Sequence, residues 1–231
     1  VVHDAATGVA TMKKAVDPQK DQSYFLFGLT QAALRRTMMP LGGLSKMMVR
    51  KLAEEFGLAV AKKADSMEIC FIGEEGYKGF IENRVAANLR PKGVIRTVEG
   101  IIVGEHEGLH RYTIGQRKGL QLMGVDPEAF FVVGFDPVHH VLIVGPEKHL
   151  FNHELMASHV NWLNPVDRLR GLKCAAKIRS RHDEAACHVT LFENDTVHVE
   201  FEAAQRAITP GQAIVFYQGD EVLGGGFIDR A

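Results

Sequence analysis

Cys70 is the best candidate in this chain for covalent chemistry, and its neighbours leave its role open. It lies in a short apolar run that follows a polar segment. A thiolate is a strong nucleophile, and the nearby Lys62 and Lys63 would favour it. Asp65 and Glu68 would oppose it. Free cysteine is also among the most frequently buried residue types. The residues alone therefore allow either a reactive or a structural thiol.

A second candidate is the polar run Lys20, Asp21 and Gln22, which leads into an aromatic and apolar stretch. The change from polar to apolar residues predicts a helix that begins near Gln22. An acidic side chain near a helix N-terminus interacts favourably with the helix dipole. These three residues are therefore interpreted first as the start of a helix, with contact to a ligand as the alternative.

A third candidate is the basic pair Arg117 and Lys118, which lies between Gly115 and Gly119. Glycines at this spacing are typical of a turn. The pair is interpreted either as part of a solvated turn or as a contact to a phosphate group.

Composition limits what surrounds these residues. The chain has 231 residues, of which 46% are hydrophobic and 24% charged, as in ordinary globular proteins. The formal net charge of −1 excludes a global attraction to nucleic acid, so any such contact needs a local basic cluster. Three cysteines without paired spacing indicate free thiols and a reducing, cytoplasmic location. We expect no membrane span, no secretory leader and no metal site, because the corresponding patterns are missing.

The clearest helix of the chain is predicted to begin after Ser45, a favourable N-cap, and to end before Gly57. Its apolar residues recur at the spacing of one helix face. They are Val49, Leu52, Ala53 and Phe56. We expect this face to be buried in a core.

From about residue 93 the apolar residues alternate, which predicts strands. A hairpin is expected to turn at Glu99 and Gly100, and a second around residues 136–140. The chain after residue 150 is predicted to be all β, either a small barrel or a sandwich. Its candidate strands are residues 175–179, 187–192, 197–201, 213–217 and 222–228. The three glycines at 224–226 fall inside a strand pattern, so they indicate a bulge or a close backbone approach.

Seven stretches of the chain resemble the tRNA-specific 2-thiouridylase family (MnmA/TrmU) in both order and spacing. They are AVDPQKDQSYFL (15–26), PLGGLSK (40–46), KADSMEICFIG (63–73), GEHEGLHRYTIGQRKGL (104–120), AKIRSR (176–181), TPGQAIVFY (209–217) and LGGGFI (223–228). The resemblance covers nearly the whole chain. It implies a mixed α/β N-terminal remnant with helices (1–70), a small β-rich middle domain (71–148) and a C-terminal antiparallel β-barrel that binds tRNA (149–231).

The resemblance also implies a reaction. Family members use ATP with Mg²⁺ to adenylate the 2-oxygen of a wobble uridine, and a cysteine persulfide then delivers sulfur, giving 2-thiouridine. Cys70 matches the persulfide-carrying cysteine. The ATP-binding loop and a second catalytic cysteine are expected upstream of Val1, so we expect this chain alone not to consume ATP. The implied partners are a tRNA with a wobble uridine and an upstream persulfide sulfur-relay protein; no stable oligomer is predicted.

The family's tRNA contacts carry over to matching positions of this sequence. Lys20, Asp21 and Gln22 match one contact segment. Arg179 and Ser180 match a contact on the barrel, although relatives often have an aromatic residue at position 180. Gln212 matches a further contact, and Arg117 with Lys118 is added on charge alone.

Cys174 and Cys187 lie in the predicted barrel and are interpreted as structural. Two other functions remain possible from the sequence. One is a non-catalytic RNA-binding fragment in which Cys70 is merely buried. The other is a cysteine sulfurtransferase that acts without RNA.

Overall fold

The computed structural model describes residues 1–4, 8–64, 72, 76–86, 90–126, 129–164 and 171–230. These residues form two compact units. The barrel unit comprises Val1–Lys63 and His153–Ala231, and the middle unit comprises Ala64–Asn152. The predicted fold class is confirmed: a small N-terminal region with helices, a β-rich middle and a C-terminal antiparallel barrel. The division into three domains at residues 70 and 148 stays a prediction.

The N-terminal region is built from short elements. Strands β1 (Val2–His3) and β2 (Ala10–Thr11) form an antiparallel pair. Helices α1 (Ser23–Leu26), α2 (Gln31–Leu34) and α3 (Lys46–Glu55) follow. Helix α1 begins directly after Gln22, as predicted.

The ends of α3 are as predicted, but the burial of its apolar face is not. The Ser45 hydroxyl accepts a hydrogen bond from the Met48 amide, and Gly57 adopts the left-handed conformation (φ +67°) that ends the helix. No residue of α3 is buried, and Phe56 is 75% exposed. The expectation of a core helix was therefore wrong. Periodicity identifies residues that share a face, whereas burial depends on what packs against that face.

The middle unit contains helix α4 (Gly76–Arg84) and a four-stranded sheet. Its strands are β3 (Gly93–Thr97), β4 (Ile102–His106), β5 (Phe131–Asp136) and β6 (Val141–Gly145), in the order β4-β3-β6-β5. Both predicted hairpins are present, and β3 pairs in parallel with β6. Ile95, Val132 and Leu142 are fully buried at the centre of this unit.

Six strands close the C-terminal barrel in the order β10-β7-β12-β11-β8-β9. They are β7 (Phe151–Trp162), β8 (Leu172–Lys177), β9 (Ala185–Leu191), β10 (Val197–Arg206), β11 (Ala213–Gln218) and β12 (Glu221–Arg230). Five of them correspond to the candidate strands from the sequence, which left barrel and sandwich open. The long strand β7 was not predicted.

Strand β11 is buried on both faces, which explains its uninterrupted apolar run. Ile214 and Phe216 belong to the barrel core. The alternate residues Val215 and Tyr217 belong to a second core that includes Phe27 and other N-terminal residues. Because successive side chains of a strand point to opposite faces, the N-terminal region covers the outside of β11. This packing makes residues 1–63 part of the barrel unit.

Two amides add hydrogen bonds between the N-terminal region and the barrel. The Gln31 side chain pairs with both backbone groups of Ala10 (3.1 and 2.7 Å) and donates to the Leu163 carbonyl (2.5 Å). The Asn161 amide donates to the carbonyls of Phe27 (2.7 Å) and Leu29 (2.9 Å). Buried carbonyls need such donors, so these side chains fix the region on the barrel.

Candidate functional site

Cys70 and most of residues 65–75 lie outside the described residues, so the position of the predicted persulfide cysteine stays a prediction. The predicted contact residues Lys20, Asp21, Gln22, Arg179, Ser180 and Gln212 are all described, and all belong to the barrel unit.

A cleft of about 610 Å³ lies beside the Lys20–Gln22 segment. Its apolar lining includes Met12, Leu26 and Met39. Among the described lining residues, four lysines face three aspartates: Lys13, Lys14, Lys20 and Lys46 with Asp17, Asp21 and Asp220. Apolar walls with a slightly positive polar rim suit an aromatic group that carries negative charge nearby.

Asp21 holds the backbone of this segment. One carboxylate oxygen accepts the amides of Ala15 (3.0 Å) and Ser23 (3.2 Å). The other accepts the Ser23 hydroxyl at 2.6 Å. Asp21 is partly buried, whereas Lys20 and Gln22 on either side are exposed. The structure therefore gives Asp21 a positioning role and leaves its two neighbours on the surface.

Tyr217 of β11 joins this segment to the barrel. Its hydroxyl lies 3.4 Å from the Ser23 hydroxyl, and its ring lies 4.7 Å from the Lys14 ammonium group. Lys14 also forms an ion pair with Glu184 (2.5 Å). Burial raises the pKa of Tyr217 above its usual value, so the hydroxyl stays protonated and can donate. Tyr217 was not among the predicted site residues, although it ends the TPGQAIVFY stretch.

Arg179 follows β8 and is held by a loop after β10. Its Nη2 donates to the Ala207 carbonyl (3.0 Å) and to the Thr209 hydroxyl (2.9 Å). Ala207 adopts a left-handed conformation (φ +56°), which is uncommon for a residue with a Cβ atom. Burial, together with nearby Arg206, lowers the pKa of Arg179. The guanidinium is thus fixed by named acceptors, and Thr209 was missed as a candidate residue.

Gln212 and Ser180 are exposed on the same unit. The backbone N–H of Gln212 donates to the Thr209 carbonyl at 3.2 Å. Thr209 therefore contacts both Arg179 and the turn that contains Gln212. Tyr24 adds a link from α1, because its hydroxyl donates to the Ala213 carbonyl (2.7 Å). Burial raises the pKa of Tyr24 to about 12, with Arg179 acting in the opposite direction.

Hydrogen bonds connect the Lys20–Gln22 segment, Arg179 and the Gln212 turn, whereas none that the structure describes connects the Ser180 side chain to them. The Lys20–Gln22 segment reaches β11 through Ser23 and Tyr217, and it reaches the Gln212 turn through Tyr24. Arg179 reaches that turn through Thr209. Exposed polar side chains on a fixed backbone can bind a polymer with phosphate and base groups.

Arg117 and Lys118 belong to the middle unit. Both are exposed. Gly115 (φ +87°) and Gly119 (φ +77°) are left-handed, and the Gln116 side chain donates to the Lys118 carbonyl (3.0 Å). The predicted turn is confirmed, and its contact with RNA stays a prediction.

Comparison with known proteins agrees with the resemblance. The chain is 45% identical over 97% of its length to the tRNA-specific 2-thiouridylase MnmA of Geobacter metallireducens. It is 47% identical over 97% to the MnmA of Levilactobacillus brevis, and 41% identical over 100% to that of Tolumonas auensis. The chain belongs to the MnmA/TrmU family. It spans 60%, 61% and 63% of the length of these three relatives.

Three family models match successive parts of this MnmA/TrmU chain. The tRNA methyl transferase HUP domain matches residues 2–74, and the tRNA methyl transferase PRC-barrel domain matches residues 78–146. The aminomethyltransferase beta-barrel domain matches residues 152–228. Together they cover the N-terminal region, the middle sheet and the barrel.

Cys174 and Cys187 face each other across β8 and β9, with their sulfur atoms 3.7 Å apart. Cys187 is buried in the barrel core and Cys174 packs against it. The hydrogen bond between them and burial raise the pKa of Cys174, so its thiol stays protonated. The burial of the two side chains and the contact between their sulfur atoms agree with a structural role for this pair.

The glycine triplet at 224–226 of this MnmA/TrmU chain does not form a nucleotide-binding loop. The three consecutive glycines lie within β12, where a Cβ atom on Gly225 would come within 2.6 Å of the Ile214 carbonyl oxygen. That space is already filled by the protein's own backbone, so it cannot hold a phosphate. None of the helices in the described part of the chain has the length and apolar character needed to cross a bilayer.

Proposed function

We propose that this chain acts in tRNA 2-thiolation, in which Cys70 carries sulfur as a persulfide to the 2-position of a wobble uridine. The observation that carries the proposal is 41–47% identity, over nearly the whole chain, to relatives named tRNA-specific 2-thiouridylase. The whole protein would be a tRNA-uridine sulfurtransferase of the cytoplasm. Its partners would be tRNA and a protein that supplies persulfide sulfur.

The geometry of the barrel unit supports tRNA binding. Lys20 and Gln22 are exposed beside the cleft, and Gln212 is exposed on a turn that hydrogen bonds connect to their segment. Arg179 lies in the same network. Cationic groups bind RNA phosphates, whereas amides bind the edges of unpaired bases. A site with fixed geometry binds with a smaller loss of conformational entropy.

The residue type at position 70 suits sulfur delivery. Sulfane sulfur is carried on a thiol, and its release requires cleavage of the sulfur–sulfur bond by a second thiol or a reductant. The target base would have to leave its stack to reach Cys70. Activation of the uridine by ATP and Mg²⁺ is implied by the resemblance alone. We therefore assign only sulfur carriage and tRNA binding to this chain.

Intact mass spectrometry tests the proposal. The native chain is incubated with a persulfide-loaded cysteine desulfurase, in the wild-type, Cys70→Ser and Cys174→Ser forms. We expect the wild type and Cys174→Ser to gain the mass of one sulfur atom, which a reductant removes, and Cys70→Ser to gain nothing. A gain that survives in Cys70→Ser, or no gain in any form, would overturn the assignment of Cys70.

A further inference from the structure

The middle unit has a pocket of its own. It encloses about 450 Å³ between α4 and the 3₁₀ turn Leu109–Arg111. Its lining combines an aromatic ring with cationic and hydrogen-bonding side chains. The residues are Tyr77, Lys78, His110, Arg111, Thr113 and Gln116, together with the backbone of Gly76.

The cationic side of this pocket is held in place by one carboxylate. One carboxylate oxygen of Glu82, in α4, accepts hydrogen bonds from Arg111 Nε (2.8 Å) and Nη2 (2.7 Å). That oxygen also lies 3.2 Å from His110 Nε2. These contacts hold the pKa of Glu82 below its usual value. Arg111 is therefore preorganised, and its remaining N–H groups stay available because a guanidinium has five.

The charged side chains among the described lining residues of the pocket are cationic. Lys78 is exposed, and it has no ion-pair partner among the residues that the structure describes. None of the described residues that line the pocket is acidic. Arg117 and Lys118 continue the loop directly after Gln116 and are also exposed. Positive charge therefore extends along the surface beyond the pocket.

Tyr77 gives the pocket a second property. Its side chain is 59% exposed, although burial of a tyrosine ring would stabilise the folded protein. An exposed ring beside cationic groups is typical of sites for single-stranded RNA, where bases stack on aromatic rings and cations contact the phosphates.

We propose that this pocket is a second RNA-binding site, in which Lys78 and Arg111 contact the phosphate backbone and Tyr77 stacks on an unpaired base. The inference rests on the proposed function, because it assigns the middle unit a share in holding tRNA. It assigns no chemistry to the pocket.

Binding of an unmodified tRNA transcript with a wobble uridine, measured by fluorescence anisotropy over a range of salt concentrations, tests this site in the full chain. We expect Tyr77→Ala to raise the Kd at least about fivefold, because loss of one stacked base has at least this effect. Tyr77→Phe keeps the ring and should bind nearly as the wild type does. Lys78→Ala should weaken binding. It should also make the slope of log K against log salt concentration shallower by roughly 0.7–0.9, which is the change expected for the loss of one phosphate contact.

Control variants separate this inference from the proposed function. Lys148→Ala removes an exposed cation of the same unit that does not line the pocket, and should leave the Kd unchanged. If Arg179→Ala weakens binding but Tyr77→Ala and Lys78→Ala do not, the pocket inference is wrong and the proposed function stands. If the wild type does not bind tRNA, both are wrong. Displacement of the tRNA by equal concentrations of inorganic phosphate would also overturn the pocket as an RNA site.

Discussion

At the scale of single residues, Asp21 shows how a predicted ligand contact can have another role. Its carboxylate accepts three hydrogen bonds, from the Ala15 amide and from the amide and hydroxyl of Ser23. An aspartate used in this way has little capacity left for RNA. Its effect on binding would come through the exposed neighbours Lys20 and Gln22, whose backbone it fixes.

We predict that Asp21→Ala lowers the free energy of unfolding by about 1–3 kcal/mol, because it leaves partly buried donors without an acceptor. Asp21→Asn retains one acceptor oxygen and should lose less. Urea unfolding followed by Trp162 fluorescence measures this, since Trp162 is the single tryptophan and lies in the barrel unit. Glu193→Ala, at an exposed acid, is the control. Equal stability of all four proteins would contradict the positioning role.

Thr209 is expected to act on tRNA through Arg179, because its hydroxyl accepts a hydrogen bond of 2.9 Å from the Arg179 guanidinium. We predict that Thr209→Ala raises the Kd for tRNA about three- to tenfold, the effect of one hydrogen bond, and that Thr209→Ser restores binding. In an Arg179→Ala background, Thr209→Ala should have no further effect, because the shared interaction is already lost. Additive losses in the double variant would mean that Thr209 acts independently.

We expect His106 to make the stability of the middle unit depend on pH. Its side chain is 2% exposed. Nδ1 accepts a hydrogen bond from the Gly108 N–H group (3.0 Å), so the proton of the neutral ring lies on Nε2. Nε2 donates to the His140 carbonyl (3.0 Å). Burial is the main cause that lowers its pKa, and the charges of His140 and His110 act in the same direction. The hydrogen bond to the His140 carbonyl and the charge of Glu107 act against it without reversing the shift. A second proton would have to face the Gly108 N–H group, so the neutral ring is the form that fits.

The sign of the effect follows from this lowered pKa. The unfolded chain, with a histidine pKa near 6.5, binds the proton more readily than the folded chain does. The contribution of neutral His106 to the free energy of unfolding is therefore present in full above about pH 6.5. It is lost as the pH falls through the folded-state pKa. We predict that protection of β3 and β4 amides, corrected for intrinsic exchange, falls between pH 7.5 and pH 5 more in the wild type than in His106→Gln. An equal fall in both would exclude His106 as the cause.

At the scale of secondary-structure elements, the glycines of β12 allow the barrel and the N-terminal region to pack closely. A Cβ atom on Gly225 would lie 2.6 Å from the Ile214 carbonyl oxygen and 2.8 Å from a ring carbon of Phe27. Neither neighbour can move easily, because Ile214 is fully buried and Phe27 is 9% exposed. The sequence predicted a bulge or a close backbone approach here, and the structure identifies the atoms that approach Gly225.

We predict that Gly225→Ala lowers the free energy of unfolding by about 1–3 kcal/mol through overpacking. Gly28→Ala is the matched control, because a Cβ atom on Gly28 meets nothing within 4 Å. Urea unfolding followed by Trp162 fluorescence compares the two variants. If both variants unfold at the same urea concentration as the wild type, the contact is too loose to matter.

Local patterns predicted most elements but not all of them. The hairpin at Gly100 and strand β6 follow from alternation and turn residues, which act over short distances. Strand β7 was missed because its sequence does not alternate cleanly. It contains a left-handed residue at His159 (φ +52°), and its pairing with β12 has register shifts. Exposure of α3 could not be predicted either, since no sequence pattern specifies a packing partner.

At the scale of the whole molecule, the candidate site depends on contacts between distant parts of the chain. Lys20, Gln22 and Gln212 could each be proposed from matching motifs. Their arrangement could not, because it depends on Tyr24 bonding to a residue 189 positions away and on Ser23 meeting Tyr217 at a separation of 194 positions. Such contacts arise only when the barrel closes.

The N-terminal region and the barrel should therefore unfold together. We predict that Asn161→Ala, which removes the donor for the Phe27 and Leu29 carbonyls, costs about 1–3 kcal/mol and speeds hydrogen exchange in both α1 and β12. Asn194→Gly, at an exposed left-handed turn residue, is the control and should change neither. Faster exchange in α1 alone would mean that the N-terminal region opens separately.

The attachment of Lys13 beside Asp220 and Glu221 has a consequence for synthesis on the ribosome. The Lys13 and Asp220 side chains are bonded although they lie 207 positions apart. At ordinary translation rates the N-terminal region waits roughly 10–40 s for this partner to be made. During that time Met12, Leu34 and the other side chains destined for β11 remain uncovered. We therefore expect the nascent chain to expose an apolar surface that chaperones for apolar segments could bind until the last hairpin emerges.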